Sequence, residues 1–188
     1  MKDMLKTCNI IIFLILILTN SLNAKENIMI LKLKDGDVKI EMFPDVAPNH
    51  VKRITELAQN GSYDNVVFHR VIEGFMAQTG DVQFGNSSSK DFDLNRAGMG
   101  ASELPDLKEE FNNLPHERGT VSMARSSSPN SANSQFFICL ENAPHLDRQY
   151  TVFGKVLEGM EFVDKIKKGD SQSGSVEDPD KIVSFKSK

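Results

Sequence analysis

Residues 68–81 have the sequence FHRVIEGFMAQTGD, and residues 134–139 have the sequence SQFFIC. The first stretch places a cation, Arg70, and a neutral amide, Gln78, among apolar side chains, and the second sets paired phenylalanines beside Gln135. Small binding sites are usually built in this way, as apolar pockets with a few polar groups directed into them. Because neither stretch offers an obvious nucleophile or a cluster of metal ligands, chemistry here would depend on positioning and hydrogen bonding.

Short strand-like runs separated by turn signals occupy most of the chain around these two stretches. Asp35-Gly36 lies between two such runs and predicts a hairpin. Pro48 opens a helical pattern that Gly61 closes, and residues 160–167 predict a second helix. Residues 82–117 and 125–133 are predicted to be mainly loop. The strand pattern favours an antiparallel barrel or a sandwich and does not choose between them.

The two quoted stretches resemble signature segments of the cyclophilin family of peptidyl-prolyl cis/trans isomerases. Three more matches follow in chain order: VSMAR at residues 121–125, HLDRQYTVFGKV at 145–156 and DKIVSF at 180–185. Five ordered blocks make the resemblance specific, and it covers nearly everything from about Asn27 to the end. It implies a mainly β fold, namely a closed eight-stranded antiparallel β-barrel capped by two α-helices, one over each open end.

The resemblance also implies an activity, acceleration of the isomerisation of X-Pro bonds, and a set of site residues. Arg70 would be catalytic, and Gln78 would hold Arg70 or the substrate backbone. The residues expected to bind the substrate are Phe75, Met76, Ala124, Arg125, Gln135, Phe137, His145, Leu146 and Tyr150. No cofactor is expected. The four histidines of the chain are scattered without metal-ligand spacing, so no metal site is expected either.

Three positions depart from the best-known cyclophilins. His145 stands where many members carry Trp, Tyr150 where many carry His, and Glu73 where a proline is common. The first two changes touch the rim of the proline socket, and we expect them to alter substrate preference and binding of the inhibitor cyclosporin more than catalysis. His69, beside Arg70, could face the groove rim or serve a structural hydrogen-bonding role.

The first 24 residues differ in kind from the rest of the chain. Lys2 and Lys6 precede an apolar run at residues 10–18, and a polar segment ending in Leu-Asn-Ala follows. This pattern is typical of a secretory signal peptide and predicts cleavage after Ala24. The run is shorter than the roughly 20 residues that a spanning helix needs. A buried helix or an uncleaved anchor is the alternative. We therefore predict a signal peptide at 1–24, an isomerase domain at 25–188, and export to the periplasm or another extracytoplasmic space.

Composition narrows the function classes further. The formal net charge is −4 at pH 7, so no basic excess attracts nucleic acid. Without the first 24 residues only Cys139 remains, and an intramolecular disulfide is not possible. The expected partners are proline-containing peptides and unfolded client proteins. The protein is expected to be a monomer, and after cleavage of the signal peptide no membrane anchor is expected. The alternative function is a proline-peptide-binding module or holdase chaperone that uses the same groove.

Overall fold

Eight antiparallel strands form one sheet in the part of the chain that the computed structural model describes, residues 27–188. The predicted signal peptide lies outside these residues. The strands are β1 Ile28–Lys32, β2 Asp37–Met42, β3 Arg70–Ile72, β4 Met76–Thr79, β5 Thr120–Met123, β6 Phe136–Cys139, β7 Val152–Glu158 and β8 Ser184–Ser187. Two helices, α1 Pro48–Gln59 and α2 Met160–Val163, and a 3-10 turn at Pro144–Leu146 complete the secondary structure.

The strand order is β3-β4-β6-β5-β7-β2-β1-β8, and the sheet curls into a half-barrel. Strands β3 and β8 stand at the two ends of this order, and no ladder pairs them directly. Isolated bridges, Val67 with Lys181 and Arg70 with Ser175, join the chain around β3 to the segment that precedes β8. The predicted eight antiparallel strands are confirmed, whereas closure of the barrel stays a prediction.

The hairpin predicted around Asp35-Gly36 is present between β1 and β2. Leu33 donates its N–H to the Gly36 carbonyl at 3.0 Å and so closes the turn. Along β1 the buried side chains are Met29 and Leu31, every second residue. This alternation directs one face of the strand into the main core and the other outward.

Helix α1 confirms the pattern that begins at Pro48, and its first turn is capped from a distant loop. The Glu110 carboxylate accepts hydrogen bonds from the backbone N–H groups of Asn49 and His50, each at 3.1 Å, and lies 2.6 Å from His50 Nδ1. A carboxylate at a helix N-terminus satisfies N–H groups that have no partner within the helix. The local sequence did not indicate this cap, because it comes from 60 residues away.

Helix α2 is shorter than predicted. The expectation of a helix over residues 160–167 is wrong beyond Val163. Lys165 and Ile166 donate to carbonyls three residues back, Phe162 and Val163, at 3.3 and 3.1 Å. These bonds tighten the chain into turns, and the α-helical pattern ends.

Strands β4 and β6 separate two apolar clusters. Ala77, Phe136 and Ile138 point into the main core of the half-barrel. Their sequence neighbours point to the other side and form a smaller cluster, which we call the groove cluster. It contains Met76, Phe137, Cys139, Ala143 and Leu146, with Ile72, Phe75, Ala124 and Tyr150 packed against it. The loops predicted at 82–117 and 125–133 hold no helix or strand and border this second face.

Candidate active site

Three adjacent strands place Arg70, Gln78 and Phe137 side by side. Arg70 on β3 lies opposite Gln78 on β4, and Gln78 lies opposite Phe137 on β6. Directly opposed residues project from the same face of an antiparallel sheet. The strand register therefore brings together side chains that are up to 67 positions apart in the sequence.

A cavity of about 210 Å³ opens on this face of the sheet. Nine of the eleven predicted site residues line it, namely Arg70, Phe75, Met76, Gln78, Ala124, Arg125, Phe137, Leu146 and Tyr150. The floor is apolar, since Met76, Phe137 and Leu146 are buried members of the groove cluster. Gln135 lies in a neighbouring cavity, and His145 lies at the rim. The structure thus gathers the predicted residues in one place, and their roles in binding and catalysis stay predictions.

Two neutral acceptors hold the Arg70 guanidinium. Its Nε donates to the Ser173 carbonyl at 3.0 Å, and its Nη1 donates to Gln78 Oε1 at 3.4 Å and lies 3.9 Å from Met76 Sδ. No carboxylate of the described chain pairs with this guanidinium. Because neutral acceptors orient a cation without cancelling its charge, Arg70 remains a charged donor beside the cavity.

Gln78 is held in turn by a second amide. Gln78 Nε2 donates to Gln135 Oε1 at 3.1 Å, and Gln135 Nε2 donates to the carbonyls of Gly98 and Gly100 at 3.0 and 2.8 Å. A continuous line of hydrogen bonds therefore runs from Arg70 to the loop on the far side of the groove. Such a network restricts the rotamers of every side chain in it.

Asp81 fixes this loop from the other side. Its Oδ2 accepts from the N–H groups of Gly98 and Gly100 at 2.7 and 2.9 Å. A Cβ on Gly100 would lie 2.3 Å from Asp81 Oδ1, so only glycine permits the approach. Met99 projects outward between the two glycines with 80% of its surface exposed. The loop walls a second cavity of about 310 Å³ that shares Gln78, Ala124 and Arg125 with the first.

Sequence reasoning indicated that the long loop could form a functional wall, but it did not identify Asp81, Gly98 and Gly100 as the residues that build it. The chain offered two signals for it, since Asp81 ends the first quoted stretch and Gly98 and Gly100 mark a turn. Neither signal reveals that the carboxylate and the glycines meet, because 17 to 19 residues of irregular loop separate them.

The side chain of Arg125 forms part of the rim. Its guanidinium carbon lies 4.4 Å from the centre of the Tyr150 ring, and its Nε donates to the Gln149 carbonyl at 3.0 Å. Stacking on an aromatic face stabilises a guanidinium without removing its charge. The N–H of the neighbouring Ala124 is not available to a ligand, because it donates to the Gln135 carbonyl at 3.0 Å.

His145 and Tyr150, the two departures at the rim, occupy different environments. His145 is exposed and its ring lies 5.3 Å from the Phe75 ring at a tilt of 38°. Tyr150 is half-buried and packs edge-on against Phe137, with ring centres 5.9 Å apart. Tyr150 is therefore part of the socket wall, whereas His145 covers its outer edge.

Beneath the floor lies His116, which the sequence analysis counted only as a scattered histidine. Its ring is parallel to Phe137 within 18° at 6.1 Å, and its nitrogens lie 3.0 Å from Asp147 Oδ1 and 3.0 Å from Ser122 Oγ. Burial lowers the pKa of His116, and the hydrogen bond with Asp147 opposes this effect. The ring therefore supports the aromatic floor from behind.

Cys139 and His69 are unsuited to nucleophilic or acid-base roles at neutral pH. Burial raises the pKa of the Cys139 thiol to about 12, which keeps it protonated. Burial also lowers the pKa of His69 to about 4, and the ring lies under Gly98 and away from the rim. Within the described residues, no group of three or more His, Cys, Asp or Glu side chains is arranged to hold a metal ion.

Comparison with known proteins decides the family. Residues 28–187 match the family model for cyclophilin type peptidyl-prolyl cis-trans isomerases. The chain belongs to the cyclophilin family. It is 58% identical over 166 residues to a probable peptidyl-prolyl cis-trans isomerase of Brucella suis, covering 88% of this chain and 84% of that protein. It is 39% identical over 152 residues to a peptidyl-prolyl cis-trans isomerase of Acinetobacter baylyi, covering 78% and 75%.

Solved cyclophilin structures share the fold. The cyclophilin AquaCyp293 of Hirschia baltica superimposes with a TM-score of 0.70 at 28% identity, over 85% of this chain and 73% of that one. A Cryptosporidium parvum cyclophilin type isomerase, crystallised in the presence of the dipeptide Ala-Pro, gives 0.72 at 28% identity over 86% and 98%. The cyclophilin described here is accordingly a peptidyl-prolyl cis-trans isomerase with the expected mainly β fold.

Proposed function

We propose that this cyclophilin isomerises X-Pro bonds of exported proteins while they fold, with Arg70 as the catalytic group. One observation carries the proposal: a guanidinium held by neutral acceptors borders a cavity of about 210 Å³ that has an apolar floor. A cavity of this kind suits a proline ring, and the cation beside it suits the nitrogen of the bond that twists.

The reaction needs no nucleophile. Partial double-bond character gives the peptide C–N bond a barrier of about 18–20 kcal/mol, so uncatalysed X-Pro isomerisation takes roughly tens to hundreds of seconds. When the bond twists, conjugation is lost and the proline nitrogen becomes a better hydrogen-bond acceptor. A donor aimed at that nitrogen binds the twisted state more tightly than either planar isomer, and such differential binding accelerates a reaction.

Arg70 can supply part of the acceleration. A hydrogen bond that involves a charged group contributes about 1.5–3 kcal/mol net, and each 1.36 kcal/mol is a factor of about ten in rate. One to two decades can therefore come from the guanidinium. The rest would come from the apolar floor, where Phe75, Met76, Phe137 and Leu146 exclude water and hold the proline ring while the other side of the bond rotates.

The other predicted residues would bind the peptide on either side of the ring. Gln78 would keep Arg70 in place or bond the substrate backbone, and Gln135 would line the adjoining cavity. The backbone of Arg125, next to Ala124, would pair with the peptide chain. His145 and Tyr150 would shape the rim.

Two-dimensional NMR exchange on a short X-Pro peptide tests the proposal directly. We expect the cyclophilin to raise the cis/trans exchange rate far above the spontaneous rate, and to do so without any added cofactor. A second candidate is a proline-peptide-binding module or holdase chaperone, which the same groove favours. Binding of the peptide without acceleration would support that candidate and overturn the first.

Export is the second part of the proposal, and the N-terminal sequence supports it. A basic start, an apolar run and a small residue at Ala24 match the pattern of a cleaved secretory signal. Within residues 27–188 no helix is long and apolar enough to cross a bilayer. Mass spectrometry of the protein from its native envelope fraction should find Lys25 as the N-terminus. An intact Met1 in a cytosolic pool would overturn the assignment.

We also propose that the half-barrel closes through the segment before β8 and that the protein acts as a monomer. The bridges of Val67 with Lys181 and Arg70 with Ser175 support closure, since they lie at the strand edge that carries Arg70. Amide hydrogen exchange tests this point. Protection of the backbone N–H of Phe68, which donates to the Asp180 carbonyl at 2.8 Å, should match that of the sheet interior.

A further inference from the structure

The loop at residues 169–176 lies along strand β3 and bonds the residues on both sides of Arg70. On one side, Gly169 N–H donates to the Val71 carbonyl at 2.9 Å and Val71 N–H donates to the Gly174 carbonyl at 2.8 Å; on the other, Val176 N–H donates to the His69 carbonyl at 3.2 Å. The Ser173 carbonyl of the same loop accepts from Arg70 Nε at 3.0 Å. The loop thus supplies one of the two acceptors that hold the guanidinium.

The Asp170 side chain adds four hydrogen bonds to a loop that backbone bonds between Asp170 and Gly174 and between Asp170 and Ser175 already close. Its Oδ1 accepts from the N–H groups of Gln172 and Ser173 at 2.9 and 2.8 Å, and its Oδ2 accepts from the Ser173 hydroxyl and from Ser175 N–H. These bonds hold the pKa of Asp170 well below its usual range, and the bond from the Ser173 hydroxyl has the largest effect. The carboxylate is therefore ionised at neutral pH.

The loop can lie this close to β3 only because residue 174 is glycine. Gly174 has a φ of +78°, and a Cβ there would lie 2.4 Å from Ile72 Cγ1 and 3.3 Å from Arg70 Cγ. A side chain at this position would push the turn away from Arg70 and would be strained in the left-handed region.

In this arrangement the group that carries the negative charge, Asp170, is not the group that bonds and orients Arg70. A carboxylate bonded directly to Arg70 would hold it firmly but would also neutralise it. Here the negative charge of Asp170 is directed to N–H and O–H groups of its own turn, and Arg70 meets only neutral acceptors, one of which is the Ser173 carbonyl of this turn. The turn is made rigid by a charge that does not weaken the cation as a donor.

We infer that Asp170 is a positioning residue for the isomerase reaction, acting through the Ser173 carbonyl to fix the direction of the Arg70 guanidinium. This inference rests on the proposed catalytic role of Arg70. Asp170 is exposed at the surface and touches neither the cavity nor the groove cluster, so its effect on the reaction would pass through the turn alone.

Asp170→Ala tests the inference, because it removes all four bonds and leaves the protein core untouched. We expect kcat for an X-Pro peptide to fall about tenfold with KM little changed, since a donor that acts in the twisted state affects kcat and not ground-state binding. Asp170→Asn retains one oxygen acceptor, and its kcat should fall only about threefold.

Asn60→Ala is a matched control. The Asn60 side chain accepts from the N–H and hydroxyl of Ser62 in a similar turn at the end of α1. Its kcat should equal that of the wild type.

A spectroscopic readout separates positioning from general stability. The Arg70 Nε–H signal, assigned by its loss in Arg70→Lys, should exchange with water slowly in the wild type. In Asp170→Ala the exchange should become faster by about tenfold, while amides of β4 and β6 keep their protection. A merely structural role for Asp170 would change those amides and the thermal midpoint instead.

The outcomes test the positioning role of Asp170 and the catalytic role of Arg70 separately. A folded Asp170→Ala protein with wild-type kcat and wild-type Nε–H exchange would overturn the inference, and so would a kcat loss without faster Nε–H exchange. If Arg70→Ala retained full activity, the catalytic role of Arg70 would fail, and the Nε–H exchange would still decide whether Asp170 orients it.

Discussion

Phe136 and Phe137 are neighbours in the sequence and lie in different parts of the molecule. Phe136 is fully buried in the main core, where its ring lies 5.6 Å from that of Tyr63 and 5.9 Å from that of Phe185. Phe137 forms the floor of the cavity, between Tyr150 and His116. The alternation of one strand assigns the first ring to folding and the second to the site.

The two apolar clusters differ in what limits their composition. The main core can accept any set of side chains that fills its volume well, because only packing is at stake. The groove cluster must leave a cavity unfilled and keep its polar neighbours aligned. Cavities cost stability, and here the larger main core offsets the cost of the open groove.

The largest effect is expected for Phe136→Ala. Truncating a fully buried phenylalanine costs about 3–5 kcal/mol of the free energy of unfolding. Phe137→Ala is the matched substitution one residue on, and it should cost less stability, because its ring adjoins a cavity that is already open. It should weaken X-Pro peptide binding instead. Urea unfolding and peptide titration of both variants check this, and equal losses of stability and of binding would contradict the division between the clusters.

Arg70→Ala should have the next largest effect and leave the fold unchanged. Loss of one preorganised donor typically lowers a rate by about 10²–10³. Exchange NMR on an X-Pro peptide gives the rate, and unfolding experiments should give a free energy close to that of the wild type. Arg118→Ala is the control, since that guanidinium pairs with Asp164 and lies outside the cavity lining. Nearly full activity in a folded Arg70→Ala protein would refute the mechanism.

The two sides of the sheet also differ in how much the sequence revealed. Short strands with turn signals predicted β structure, and helix α1 was correct because Pro48 and the apolar spacing are local signals. Preferring a barrel to a sandwich needed the family resemblance, because periodicity alone fits a sandwich equally well; the structure shows the eight strands as a half-barrel. The end of α2 was wrong by four residues, because turn bonds at Lys165 and Ile166 replace the helical pattern.

For the candidate site, the resemblance predicted the residues and gave no indication of what holds them. Arg70, Gln78 and Phe137 lie in quoted motifs, and the strand register then brings them together. Asp81 and Asp170, by contrast, act on irregular loops, where no periodic pattern reports which N–H group a carboxylate will meet. Supports of this kind depend on tertiary contacts and become visible only in the structure.

His145→Trp addresses the rim, where the groove meets solvent. His145 covers the edge of Phe75 with a small ring, and an indole would cover more apolar surface and supply its own N–H donor. Each additional buried methylene-sized unit contributes about 0.8 kcal/mol, and a better aligned hydrogen bond about 0.5–1.5 kcal/mol. Cyclosporin should therefore inhibit His145→Trp about 10- to 1,000-fold more strongly than the wild type. Peptide turnover should change little. Equal inhibition of both proteins would mean that this position does not control the rim.

The smallest effect concerns pH and the buried His69, which lies under Gly98 on the groove side. Burial lowers its pKa from 6.5 to about 4, and the charge of Arg70 acts in the same direction while Asp81 opposes it. The folded protein thus binds this proton more weakly than the unfolded chain, and the free energy of unfolding must fall as pH drops from 6.5 towards 4. At about pH 5 the loss of unfolding free energy attributable to His69 should be about 2 kcal/mol relative to about pH 8.

Urea unfolding of wild type and His69→Leu at both pH values isolates the contribution of His69 to the free energy of unfolding. The variant should be less sensitive to pH by that amount, and an unchanged pH dependence would show that His69 does not carry the effect.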